Sequence, residues 1–296
     1  MAASLEDTGV TYEQLADIEA EFDEVETEII RQQVQMTQPL YEKRQKLVAK
    51  IPNFWPLVFE QAPPDIDEFI QPTDSALLLT SLASISVSHF EIENGGNGDP
   101  RSVAIRMEFN ENEYFEDRVL EKKFWYRRSM EGDAGLVSEP VVINWKEGKD
   151  LTDGLLNMVK AVWDEQQQSG PATAAERKKK PLTAKQQALK EKIENIGLGG
   201  QSFFCWFGFV GDRISAEESK AATEKERAER KLRQQGGATP ADKSNDEDEE
   251  DDEFDDLEIF PEGDSVALAI TDDLWPGALR YFCKFLKYFL HLEFSY

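Results

Sequence analysis

Residues 11–50 carry one continuous apolar stripe, and no other feature restricts the fold of this chain as strongly. Leu15, Ile18, Phe22, Val25, Ile29 and Met36 follow the three- and four-residue rhythm of a helical face. Gln32 takes one seam position and Pro39 the next, so the repeat weakens and the helix can bend there. At 1.5 Å per residue such a helix reaches about 60 Å, more than a domain of this size can cover. An apolar stripe that long needs a partner, and a second copy of the chain is the simplest one.

Charge predicts how two copies lie. Residues 11–30 hold eight acids and no base, whereas residues 31–50 hold Arg31, Lys43, Arg44, Lys46 and Lys50 against Glu42. A parallel pair sets acid beside acid. An antiparallel pair sets each acidic half beside a basic one, and the same asymmetry suits the helix dipole. The expectation is an antiparallel homodimer with the six stripe residues at its interface.

Pro56, Pro63, Pro64 and Pro72 follow IPNFW (51–55) and end this helix. Alternating runs come next: SLASISVSHFEIE (81–93), SVAIRMEFN (102–110), RVLEKKFWYRRS (118–129) and EPVVINWK (139–146). The first two flank NGGNGDP, a hairpin turn rather than a phosphate loop, since no helix follows those glycines. Four such runs predict an antiparallel sheet. LTDGLLNMVKAVWDEQQQ (151–168) predicts a helix, and the Gln/Ser/Pro/Ala/Lys-rich 166–200 a mobile linker. SFFCWFGF (202–209) is too aromatic to stay exposed and is expected to dock on the core. Residues 215–235 are charged all round, as in a solvated helix or a disordered insertion outside the core. Residues 263–282 return to an amphipathic helix with a Trp-Pro anchor. CKFLKYFLHLEFSY (283–296) is apolar nearly all round yet too short for a membrane span. It reads as a packed terminal helix, an aggregation-prone segment or a misassigned exon end.

With 59 Asp+Glu against 33 Lys+Arg the net charge is −26, which repels nucleic acid and anionic membranes and draws basic partners. Ten of the eleven residues 246–256 are acids, a flexible polyanion for Lys/Arg-rich tails or a solubilising linker. Lys178, Lys179 and Lys180 fit a nuclear import address as well as they fit an ordinary solvated run. The first ten residues have neither a basic start nor an apolar stretch, so no secretory signal is expected. Cys205 and Cys283 form no metal knuckle and are expected to be small buried hydrophobes. Only His89 and His291 could serve as imidazole bases, neither within a ligand cluster or a nucleophilic triad, and no glycine-rich cofactor loop is present. A binding protein without cofactor or metal is expected, not an enzyme.

Five blocks, in order along most of the chain, resemble the nucleosome assembly protein/SET family of histone chaperones: YEKRQKLVAKIPNFW (41–55), MEFNENEYFEDRVLEKKF (107–124), INWKEGKDLT (143–152), SFFCWF (202–207) and ITDDLWPGALRYF (270–282). WKEGKDLT and the short sheet loops are most similar to the SET branch, its fungal members included. The resemblance implies an α+β fold, with a long dimerisation helix ahead of an "earmuff" of four antiparallel strands and flanking helices. It divides the chain into the helix segment (1–55), the earmuff (56–165, closed by 201–211 and 257–282), the linker (166–200), a charged insertion (212–256) and the apolar 283–296. It further implies a nuclear protein, shuttling with the cytoplasm, that binds core histones and assembles or disassembles nucleosomes without ATP. The alternative is a regulatory subunit or inhibitor acting on a histone acetyltransferase or a protein phosphatase. Carried over position by position, the histone-contacting surface maps to Glu147, Asp150, Thr152 and Asp153, although Asp150 and Thr152 equally suit a helix cap. The sequence departs from the family where DGLLNMV follows Thr152 and where the polyacid precedes the Trp-Pro helix instead of following it.

Overall fold

The computed structural model describes residues 10–169, 181–197, 200–234 and 257–293. The lysine run 178–180 and the acidic run 246–256 lie outside the described residues.

The predicted long helix is α1, Tyr12–Val48. Thr11 opens it with a reciprocal capping box: the Gln14 amide donates to the Thr11 hydroxyl at 3.3 Å and the Thr11 amide to the Gln14 side chain at 3.1 Å. The helix continues past Pro39. Short helices α2 (Phe54–Phe59), α3 (Pro64–Asp67) and α4 (Pro72–Ser81) follow, each starting near a proline that suits a helix N-terminus. The sheet is a meander, β1 (Leu82–Ser88), β2 (Val103–Phe109), β3 (Val119–Arg128) and β4 (Ala134–Ser138), antiparallel throughout in the order β1-β2-β3-β4.

Two expectations about the sheet need correction. The first run stops at Ser88 instead of reaching 93. The fourth strand is 134–138, ahead of the predicted 139–146. Pro140 has no N–H to offer a ladder, and beyond Ser138 the chain turns to bond elsewhere: Ser138 N donates to Val210 O, and Val141 N to Phe207 O. Residues 139–146 meet another strand-like segment only at a Phe115–Trp145 bridge.

The core lies on one face of the sheet. Ile85 pairs with Met107, Val87 with Ile105 and Val103 with Phe124, all buried. The 3-10 turn Phe203–Gly208 seals this face as expected: Trp206 lies 5.4 Å from the Phe124 ring and donates its indole N–H to Gly263 O at 2.8 Å. A Cβ on Gly263 would sit 2.3 Å from the Phe209 ring, so this close approach requires glycine. Full burial of each such aromatic contributes about 2–3 kcal/mol.

Helix α5 (Leu155–Ser169) runs beyond 165, and the predicted linker contains a second helix, α6 (Ala184–Ile196), packed against α5. Thr183 and Gln186 cap α6, and Leu189 and Ile193 are buried at i, i+4 spacing. Those two residues form a core stripe that the Ala/Gln/Lys-rich composition hides. Helix α7 (Ala216–Gln234) occupies the charged insertion and buries Ala222. The closing segment comprises α8 (Gly263–Leu268), a π-helical turn (Ala269–Leu274) and α9 (Ala278–Glu293). Cys205 is buried, and burial pushes its thiol pKa up to about 12. Cys283 is exposed, contrary to expectation, because α9 docks on α2 through neighbouring residues such as Phe282, whose ring lies 4.8 Å from Phe54. No described helix is long and apolar enough to cross a membrane.

Candidate functional site

Two surfaces stand out. The first is α1 itself. Its domain-facing side presents Ala20, Thr27, Arg31, Val34, Tyr41, Arg44 and Val48, all at least partly covered. Arg31 donates to Gly98 O in the β1–β2 loop, Gln45 to Ser84 and Arg44 to Trp275 O. Leu15, Ile18, Phe22, Val25, Ile29 and Met36 lie toward the opposite side of the helix and are all exposed. Leu40 and Leu47 extend this stripe, also exposed. The chain's own domain therefore leaves the predicted interface residues uncovered.

The second surface is built from the β2–β3 loop and the segment leading into α5. Asn112 starts it, its side-chain oxygen accepting from the amides of Tyr114 and Phe115 at 2.8 and 3.0 Å. That turn buries Phe115 against Phe109, Trp145 and Phe204, with edge-on rings 5.1–5.8 Å apart. The Asp117 carboxylate accepts from the Asn144 amide and side chain at 2.6 and 2.8 Å. Lys146 N donates to Tyr114 O, and Lys146 Nζ to Asn112 O, both at 2.7 Å. Buried aromatics and reciprocal hydrogen bonds thus hold the two loops as one rigid ledge. Residues 111–118 and 144–153 contribute seven carboxylates against Arg118, Lys146 and Lys149. Glu111, Glu113 and Glu116 project with side chains 81%, 84% and 72% exposed.

The four residues expected to contact a partner divide on this ledge. Glu147 is exposed. Asp153 is exposed too and carries an ion pair with Lys192 of α6. Its φ of 51° is one that Asp tolerates better than most residues. Asp150 turns inward, accepting from Thr152 N, Thr152 Oγ1 and Gly154 N at 2.8, 2.6 and 3.1 Å, and so orders the entry to α5. Thr152 is 2% exposed, so its hydroxyl serves this turn and is not offered to a partner. Glu111, Glu113 and Glu116 fall within the block 107–124, and the sequence reading does not point to them individually. Their signal is ENEYFED itself, in which two aromatics anchor a loop and the acids between them must point outward.

Lys122 ties β3 to the aromatic turn. It occupies a core-facing register position, fully buried, and donates to Glu139 O, Phe207 O and Phe209 O at 2.9–3.1 Å. Burial pushes its pKa down to about 7. Nearby Glu258 accepts from the amides of Val210, Gly211 and Phe260, while burial pushes its pKa up. Among the described residues no group of three or more His, Cys, Asp or Glu could hold a metal ion.

Residues 47–284 match the family model described as nucleosome assembly protein (NAP). The chain belongs to this family. Among curated members it is 36% identical over 156 residues to a putative nucleosome assembly protein of Schizosaccharomyces pombe, covering 47% of this chain and 59% of that one. It is 34% identical over 123 residues to Protein SET of Drosophila melanogaster, covering 41% and 43%. The chain thus aligns with less than two thirds of the length of either relative. Among solved structures, a Ccp1 mutant superposes over 95% of this chain and 97% of its own, with 25% identity and a TM-score of 0.55. Vps75 superposes over 92% and 96%, with 21% identity and a TM-score of 0.56. These likenesses establish the NAP fold: a long N-terminal helix ahead of a four-stranded antiparallel sheet with flanking helices.

Proposed function

We propose that this NAP-family protein is a histone chaperone that works as an antiparallel homodimer. The observation that carries the reading is the acidic ledge, in which three projecting glutamates, Glu147 and Asp153 are held on a frame of buried aromatics. A preorganised carboxylate surface binds basic protein with little ordering cost, and gives specificity that a flexible polyanion lacks. Histones are the basic cargo that family membership favours, over a regulatory role on an acetyltransferase or phosphatase. The action is shielding: basic histone surface is covered and then released to DNA as the stronger polyanion, with no bond made or broken and no ATP required. A nuclear location, with shuttling to the cytoplasm, follows from that role.

The charge asymmetry of α1 supports the dimer, since an antiparallel partner sets the acids of 11–30 beside the bases of 31–50. The test is titration of purified core histones against the full chain and against a variant with Glu111, Glu113, Glu116, Glu147 and Asp153 changed to Lys. The native complex is expected to persist at about 0.3 M salt, where freely exposed charges are heavily screened. The variant is expected to lose at least tenfold in affinity. Unchanged affinity would remove the ledge from the binding surface, and failure of the native chain to bind would refute the chaperone reading.

A further inference from the structure

Helix α7, the charged insertion, lies across the acidic half of α1. Arg230 reaches Glu24 at 2.7 Å and Glu21 at 3.5 Å, and Arg233, one helical turn on, meets Asp17 at 2.8 Å. All three acids lie in the stretch of α1 that carries no base of its own. The two arginine side chains are 16% and 24% exposed, well covered for groups on a charged surface helix. The start of α7 is tethered to the end of β3, where Arg128 N donates to Ser219 Oγ at 3.0 Å and the Arg128 side chain pairs with Glu226 at 3.2 Å. Helix, strand end and α1 together frame a cleft of about 820 Å³.

Ala222 is the one hydrophobic residue of α7 that is buried. Little apolar burial therefore holds the helix down, and its seat depends on ion pairs that salt and competing cations weaken. The spacing is specific nonetheless, because arginines three apart share one helical face and meet acids at 17, 21 and 24, spaced by four and three on α1.

We propose that the acidic half of α1 is a docking site for a helix bearing two arginines three residues apart, and that α7 is its resident occupant. An arginine-bearing helix of an incoming basic protein binds there by displacing α7, so the insertion acts as an internal competitor. The inference rests on this helix-on-helix geometry and is independent of the histone-binding ledge.

The probe is a fluorescent peptide of residues 214–234, titrated by anisotropy at low salt against three forms of the full chain. These are the native chain, Arg230→Gln/Arg233→Gln, and Lys220→Gln/Lys225→Gln. The last removes the same charge from α7, from lysines that pair with acids of α7 itself and not with α1. The arginine variant is expected to bind the peptide at least tenfold more tightly than the other two forms. A peptide carrying the same two glutamines is expected not to bind it. Equal binding by all three forms, or no binding by the arginine variant, overturns the proposal. A chain that binds no histone would still give the expected result here, so the two readings fail separately.

Discussion

Arg44 Nη1 donates to the main-chain oxygen of Trp275 at 2.6 Å, across 231 residues of sequence. The guanidinium also lies 4.7 Å from the ring centroids of both Tyr41 and Trp275, and the residue is 9% exposed. This one side chain joins the C-terminal half of α1 to the Trp-Pro corner, and so fixes α1 relative to the domain. Arg44→Ala removes charged hydrogen bonds to Trp275 O and Pro276 O and contacts with the rings of Tyr41, Trp55 and Trp275. It is expected to cost about 2 kcal/mol of stability, read as a lower urea midpoint. Arg44→Lys is expected to recover only part of this, because an ammonium cannot hold the carbonyls and lie flat against the rings. An unchanged midpoint for Arg44→Ala would show that the corner is held by Tyr41 and Trp275 alone.

The apolar stripe of α1 leads to a prediction about mass. Ile18→Glu combined with Phe22→Glu places charge on a stripe whose residues are 53% and 65% exposed in the single chain. Folding of one chain should therefore be unaffected, while burial of that stripe in a dimer becomes prohibitive. Sedimentation of the native chain is expected to give twice 33.7 kDa, and the variant 33.7 kDa with an unchanged far-ultraviolet spectrum. A native monomer at micromolar concentration would refute the dimer.

Much of the fold was readable from periodicity, because an apolar repeat states which face is covered. The alternation of β2 is an example, with Val103, Ile105, Met107 and Phe109 all buried, while the rhythm of α1 marked the helix but not a face that its own domain covers. Prediction failed where burial is decided by distant partners. Lys122 shares the inward parity of Leu120 and Phe124 but carries a charge that argues against burial, and only the three carbonyls from 139 and 207–209 explain its place inside. The 139–146 run alternates like a strand but spends its bonds on the aromatic turn and the β2–β3 loop. The ledge was half legible: INWKEGKDLT marked one of its two segments, yet which carboxylates point outward depends on the turn that consumes Asp150.

Asp74 divides its two oxygens between separate donors. One accepts from the Ser202 hydroxyl at 2.6 Å, and the other from the amides of Phe203 and Gln71 at 2.7 and 3.0 Å. Its single carboxylate therefore caps α4 and starts the aromatic 3-10 turn. Asp74→Ala removes both acceptor oxygens and leaves the amides of Phe203 and Gln71 and the Ser202 hydroxyl without this partner in a fully buried place. A loss of about 2–3 kcal/mol is expected, with reduced near-ultraviolet dichroism from the displaced tryptophan and phenylalanines. A change below about 0.5 kcal/mol would mean that the two amides find other acceptors.

Lys122 ties stability to pH in a direction that can be worked out. An amine donating three hydrogen bonds must carry its proton, yet burial lowers the folded-state pKa to about 7 from the ordinary lysine value of 10.5. Between those values the unfolded chain binds more protons at this site than the folded one, so stability rises with pH through that window and the dependence flattens below about 7. Lys122→Met keeps the stem's bulk and removes the titration. It leaves the carbonyls of Glu139, Phe207 and Phe209 without this donor, for an expected loss of about 2–4 kcal/mol near neutral pH. Urea midpoints at several pH values between 7 and 10 should therefore show a rising component in the native chain that is missing in the variant. Parallel profiles for the two proteins would show that Lys122 keeps an ordinary pKa within its seat.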